Sequence, residues 1–314
     1  MGTTAPSRTL EGRVALVAGA TRGAGRAIAV ELARAGARVY ATGRSSREAG
    51  RSEIDRPETI EGTGDRIRDV GGDGVALRVD HEEPAAVGAL LERIREADGR
   101  LDVLVNDIFG GDRYADWDHP LWEHDLAGGL RMLRMGVDTH LITCHAALPL
   151  MLESAAMQDG RGLVVEMTDG TAEFNANFRE GVGFYYDLVK ASVGRIVIGL
   201  TAELSELPVT AVGVTPGWFR SEKMLDGFAV TEETWRDALE KEPSFAISES
   251  PAFVARGVAA LAADQDCSRW AGRILSARQL SDAYGTTDAD GSRPDCWGWM
   301  DRDREARESI ADYR

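Results

Sequence analysis

A glycine-rich turn set between a short apolar run and a helical pattern constrains this chain more than any other feature. The run Arg13 to Ala18 is Val-rich and strand-like, and it leads into Ala18-Gly19-Ala20-Thr21-Arg22-Gly23-Ala24-Gly25. Glycines at 19, 23 and 25 let backbone approach a bulky anion. The helix that follows, roughly Arg22 to Ala35, offers unpaired N–H groups and a positive dipole end. A strand feeding such a turn is the opening of a βαβ unit, and the ligand it suits is a dinucleotide pyrophosphate. Glycine also serves plain tight turns, so the position after the first strand carries the reading.

The alternation continues. Apolar runs at Ala37 to Thr42, Gly74 to Asp80, Leu101 to Asn106, Leu163 to Met167, Val209 to Thr215 and Arg273 to Ser276 are separated by helical stretches. This predicts an α/β fold whose seven strands form one parallel sheet. A tail covers residues 1–9, the domain 10–280, and a polar extension 281–314 with Trp297 and Trp299. The extension is expected to pack on a neighbouring subunit or to be partly disordered. Residues 43–65 read as a surface insertion and 218–248 as a lid. Long helices are expected near 126–153 and 183–204.

The chain has 314 residues and a formal net charge of −16, from 52 acidic and 36 basic groups. That sign argues against a nucleic-acid partner, and any anionic ligand must be held by locally placed arginines and amides. Cys144, Cys267 and Cys296 have no CxxC spacing, and the five histidines include no HExxH, so neither a disulfide framework nor a metal site is expected. His140 and His145 share a helix face and read as surface or interface histidines. No signal-peptide pattern precedes the first strand, and no apolar run approaches the ~20 residues that span a bilayer. The expectation is a cytoplasmic protein without membrane partners.

About 165 residues beyond the glycine turn stands Tyr186-Asp187-Leu188-Val189-Lys190. On a helix, residues i and i+4 share a face about 6 Å apart. An ammonium beside a phenol favours phenolate, which would make Tyr186 a usable acid/base. Tyr185 lacks that neighbour and reads as core or pocket lining. The second strand ends at Gly43-Arg44 with no carboxylate. Two guanidiniums, Arg22 and Arg44, suit a ribose 2′-phosphate, so NADP(H) is favoured over NAD(H).

These motifs give the chain a family resemblance. It resembles the short-chain dehydrogenase/reductase family over about residues 10–276, through the glycine turn, Asp80, Asn106, Tyr186/Lys190 and Pro216-Gly217 followed by Ser221. The resemblance implies a single Rossmann-type, doubly wound domain with helices on both faces. It implies that Tyr186 gives a proton to a carbonyl oxygen, and that Lys190 lowers the tyrosine pKa and holds the nicotinamide ribose. Cofactor contacts are then expected from Gly19, Thr21, Arg22, Gly23, Gly25, Arg44, Asp80, His81, Asn106, Ile108, Pro216, Gly217 and Ser221. A homodimer or homotetramer is implied through the two long helices.

Departures from the family pattern are equally specific. Its Asn-Asn-Ala-Gly turn reads Asn106-Asp107-Ile108-Phe109. Its helix asparagine falls on Gly136, and its serine on Asp169, with Thr168, Thr171 and Glu173 as neighbours. An ionised carboxylate is a poor partner for a developing alkoxide. A protonated Asp169 could donate as serine does, Thr168 or Thr171 could take the role, or the acceptor could be a cationic C=N group assisted by Asp169 or Glu173. Phe109, Trp117, Trp218, Phe219 and Phe228 fall in loops at strand ends and suit an apolar or aromatic small molecule. Asp112 and Asp116 in those loops could favour a basic group. The leading expectation is NADPH-dependent reduction of a ketone or aldehyde. The alternatives are an imine or pteridine-like reductase and a non-catalytic NADP-binding module.

Overall fold

Seven apolar runs become seven parallel strands because helices cover both faces of the sheet. In the computed structural model, which describes residues 9–157, 160–302 and 309–314, the strands are β1 (Val14–Ala18), β2 (Arg38–Gly43), β3 (Asp73–Arg78), β4 (Val103–Asn106), β5 (Gly162–Met167), β6 (Val209–Thr215) and β7 (Ile274–Ser276). Their order is β3-β2-β1-β4-β5-β6-β7. The helices are α1 (Gly23–Arg34), α2 (Ile60–Asp69), α3 (Pro84–Asp98), α4 (Leu126–Leu133), α5 (Thr139–Ala155), α6 (Phe184–Glu203), α7 (Glu222–Phe228), α8 (Pro251–Ala263), α9 (Ala277–Tyr284) and α10 (Cys296–Asp301). Residues 1–8 of the expected N-terminal tail lie outside the described residues.

Alternation along each strand sorts side chains between two cores. Ala15, Val17, Val39, Val105 and Val165 pack with Ile28 and Leu32 of α1 and Phe253 of α8. Val14, Leu16, Leu104 and Val164 pack on the other face with Leu90 and Ile94 of α3 and Leu150 of α5. All five residues of β1 are buried, as a central parallel strand requires.

The strand order reverses between β1 and β4, which opens a crevice beyond their carboxyl ends. Gly19 lies there with φ +90°, and a Cβ on it would stand 2.2 Å from the Asp107 carbonyl oxygen. Only glycine fits that crossing of two loops.

Three segments differ from the sequence reading. The expected insertion at 43–65 gives way to helix at Ile60. The expected long helix 126–153 is α4 and α5 joined through a π-helical turn at Arg134–Asp138. The described part of the C-terminal extension packs on its own chain: Trp297 Nε1 donates to the Pro216 carbonyl at 2.8 Å, and Arg314 Nη1 donates to the carbonyls of Ala246 (2.8 Å) and Ser248 (2.7 Å). Residues 218–248 hold a buried cluster of their own, Trp235, Ala238 and Phe245. No helix among the described residues is long and apolar enough to cross a membrane.

Candidate active site

The glycine turn brings the N-terminus of α1 into the crevice. Arg22, its N-cap, provides no side-chain cap, so the first amides seek other acceptors. Glu222 Oε2 accepts from the Gly23 amide at 2.9 Å, and Asp107 Oδ2 accepts from the Gly25 amide at 2.6 Å. Asp107 is the second residue of the departed Asn-Asn-Ala-Gly turn. Burial pushes its carboxyl up to about 6. Thr21 is buried beneath the turn, its side chain against Gly43 at the end of β2.

Among the described residues no carboxylate lies within ion-pairing distance of Arg22. Burial lowers its pKa, opposed by the more distant Glu58 and Glu222. Arg44 is engaged: its Nη1 meets Glu53 at 3.0 Å and Glu82 at 2.9 Å, with Asp80 at 4.0 Å. The Asp80 carboxylate also accepts from the Glu82 amide. His81 is bonded between β2 and α5. It is buried, with Nε2 2.8 Å from the Thr42 hydroxyl and Nδ1 2.8 Å from that of Thr143. Burial, then His140, pulls its pKa down to about 3.

At the β4 end, Asn106 Nδ2 donates to Glu166 Oε1 at 2.7 Å, and its Oδ1 is buried without a partner. His140 corrects the surface reading. It is 1% exposed, its Nδ1 pairs with Glu166 Oε2, and its Nε2 donates to the Ile108 carbonyl at 3.1 Å. A histidine on the buried face of α5 found its partner at β5, which periodicity does not reveal. His145 is exposed.

Tyr186 and Lys190 lie one turn apart on α6. The Tyr186 hydroxyl donates to Asp169 Oδ2 at 2.9 Å. Burial and the Asp169 carboxylate push the phenol well above its usual range, the reverse of the shift expected from Lys190 alone. The Lys190 ammonium instead sits 3.7 Å over the Phe109 ring centroid and 5.4 Å over that of Tyr186. Burial lowers the lysine pKa, opposed by Asp169, Asp112 and Asp107.

Thr168 donates to the Lys190 carbonyl at 2.8 Å and so ties the end of β5 to α6. Thr171 accepts from the Phe174 amide at 3.4 Å, and Glu173 is exposed. Of these neighbours the structure brings Asp169 to Tyr186. Gly136, where the family asparagine is expected to fall, lies at the π-helical turn. A Cβ there would meet Val189 Cγ1 at 2.5 Å and the Phe109 ring at 3.1 Å. Phe109 thus fills the space beside Gly136 and presents its face to the lysine.

The aromatic loops divide. Phe109 (5.7 Å) and Trp117 (5.2 Å) flank Tyr186. Trp218 and Phe228 pack on Phe245 inside the 218–248 segment, and Phe219 lies against Gly23. Asp112 pairs with Lys223 at 3.3 Å, and Asp116 with His119 at 3.0 Å. Ser221 caps α7, accepting from the Met224 amide, and Tyr185 is buried against Met132 and Val189.

Sequence reasoning missed Arg179. Its Nη1 lies 3.5 Å from Asp169 Oδ2 and its Nε 3.4 Å from Asp187 Oδ1. A lone arginine seven residues before Tyr186 carries no spacing signal. Also missed was Trp297, whose ring packs on Phe174 at 5.0 Å and bonds the Pro216 carbonyl.

A glycine turn at the switch point, facing a tyrosine/lysine helix across the same crevice, defines a dinucleotide-dependent oxidoreductase of doubly wound fold. The chain belongs to the short chain dehydrogenase family, whose model matches residues 13–227. It is 31% identical over 288 residues to mouse dehydrogenase/reductase SDR family member 1, covering 90% of this chain and 85% of the relative. In fold it is similar to a 7α-hydroxysteroid dehydrogenase solved with NADH and 7-oxo glycochenodeoxycholic acid (TM-score 0.66, 21% identity, 93% of this chain and 99% of that one). It is also similar in fold to a short chain dehydrogenase from Shigella flexneri solved with NADP (TM-score 0.67, 20% identity, 87% and 99%).

Proposed function

We propose that this protein reduces a ketone or aldehyde to an alcohol with NADPH, Tyr186 donating the proton. The observation that carries this is the Tyr186 hydroxyl, held protonated at the crevice one helical turn from a buried lysine. The residues present fit a dinucleotide: α1 begins after a turn whose Gly19 admits no side chain, and Arg22 is a half-buried cation with no ion-pair partner among the described residues. Gly19, Thr21, Gly23 and Gly25 would hold the pyrophosphate, Arg22 and Arg44 the 2′-phosphate, and Asp80, Asn106 and Ile108 the adenosine side. Lys190, Pro216, Gly217 and Ser221 would hold the nicotinamide end.

When bound, the nicotinamide supplies a hydride to the carbonyl carbon. Tyr186 Oη supplies the proton to the oxygen, so the C=O bond becomes C–H and O–H. A phenol raised well above its usual range stays protonated at neutral pH, as a donor must. Arg179, 3.5 Å from Asp169, offsets the carboxylate charge that would oppose alkoxide formation. Phe109 and Trp117 beside Tyr186 suit an apolar or ring-bearing substrate. A homodimer or homotetramer in a reducing cytoplasm completes the proposal, the three cysteines being free and buried.

A second reading is reduction of a C=N group. The Asp169 carboxylate at the Tyr186 hydroxyl favours it, because a carboxylate stabilises an iminium cation. The test is titration of the protein with NADPH and NADH, then absorbance at the reduced-nicotinamide band against ketones, aldehydes and cyclic imines. Oxidation of NADPH with ketones or aldehydes supports the first reading, oxidation with imines alone supports the second, and cofactor binding with no oxidation supports a non-catalytic module.

A further inference from the structure

The segment between β2 and α2 is partly exposed, but at Glu53 and Ile54 it crosses onto the loop after β4. Ile54 lies on Gly110, where a Cβ would stand 2.6 Å from Ile54 Cδ1. Next to it, Glu53 sits as a bound anion would. Its Oε1 accepts from Arg44 Nη1 at 3.0 Å and from Arg131 Nη2. Its Oε2 accepts from the Tyr114 hydroxyl at 3.0 Å and from Arg131 Nε at 3.2 Å. The partners come from three separate elements: the end of β2, the loop after β4, and α4. Bidentate capture by a guanidinium plus a hydroxyl is the donor set that also recognises a phosphate monoester.

The charge count matters. Of the side chains that ion-pair with one another here, Arg44 and Arg131 bring two positive charges and Glu53, Glu82 and Asp80 three negative ones, while Arg113 and Arg78 donate to the backbone carbonyls of Glu53 and Arg44. With Glu53 and Glu82 both on its Nη1, the Arg44 guanidinium is already occupied. We propose that Glu53 is an internal competitor for the ribose 2′-phosphate: its carboxylate occupies the Arg44 guanidinium, and a 2′-phosphorylated cofactor binds by displacing it. This rests on the NADP(H) reading of Arg44. It makes Glu53 a specificity-determining residue, because a cofactor lacking the 2′-phosphate has nothing to offer Arg44 in exchange. Arg131 keeps hold of Glu53 after displacement, so the crossing segment shifts without being released.

The test uses the full-length protein and calorimetric dissociation constants for NADPH and NADH at fixed salt. Glu53→Gln keeps the side-chain shape and removes the charge. It should tighten NADPH roughly tenfold, as loss of one competing charge-assisted contact implies, and move NADH by less than about twofold. Ile54→Ala loosens the crossing segment without altering charge, and should change both constants by the same factor. The proposal is overturned if Glu53→Gln moves both cofactors equally, weakens NADPH, or leaves their ratio unchanged. It is also overturned if Ile54→Ala shifts the ratio as Glu53→Gln does. A wild-type preference for NADH would sink the NADP(H) reading itself, whereas the claim about Glu53 is decided by the change in ratio.

Discussion

The Tyr186 hydroxyl donates a 2.9 Å hydrogen bond to Asp169, the residue on which the family's serine is expected to fall. A hydroxyl partner could either donate or accept, but an ionised carboxylate only accepts. Asp169 therefore holds the tyrosine proton in place and raises the phenol pKa. Arg179 in turn steadies the carboxylate from the other side.

If Tyr186 is the proton donor, Tyr186→Phe removes the proton and little else. Turnover in the reductive direction should fall by about 10²–10⁴-fold, the usual range for a positioned acid. NADPH affinity should stay within about twofold, because the hydroxyl's hydrogen bond goes to Asp169. Steady-state kinetics and a binding titration read both, and unchanged turnover would remove Tyr186 from the mechanism.

Asp169→Asn should move the alkaline limb of the kcat profile for reduction to lower pH. The donor form is the protonated phenol, so activity is present below the tyrosine pKa and lost above it. Burial and the Asp169 charge both raise that pKa, and the substitution removes the second cause. A limb that stays in place or moves upward contradicts this assignment.

Gly136 should resist even a methyl group. A Cβ there meets Val189 Cγ1 at 2.5 Å, so Gly136→Ala is expected to cost about 1–3 kcal/mol through overpacking. Adding Val189→Ala should recover part of that cost. A double-mutant cycle on denaturant midpoints measures the coupling, and strict additivity would mean that the two positions do not compete for space.

Glu249 supplies a pH signature. It is 1% exposed, accepts from the Gly217 amide, leaves its Oε1 unpartnered, and burial pushes its carboxyl up to about 8. Because the folded pKa lies above the ordinary 4.5, its contribution is fully present below about 4.5 and declines as pH rises to about 8. Glu249→Gln cannot ionise, so the fall in melting temperature from pH 5 to 8.5 should be shallower in the variant. Parallel profiles would exclude Glu249 as a source of that fall.

Local signals in the sequence determined the seven strands, the glycine turn at Gly19 and the Tyr186/Lys190 pair. Each depends on periodicity or spacing within one βα unit, where residue type and backbone geometry are tied directly. The tertiary structure decided the rest. It put His140 on Glu166, Phe109 in the space beside Gly136, Arg179 beside Asp169, and Glu53 on Arg44. These partners stand 9 to 27 residues apart in the chain. Their contacts depend on how strands stack and where loops cross the crevice, and no period or motif in a single chain encodes which charged or aromatic side chains will meet there.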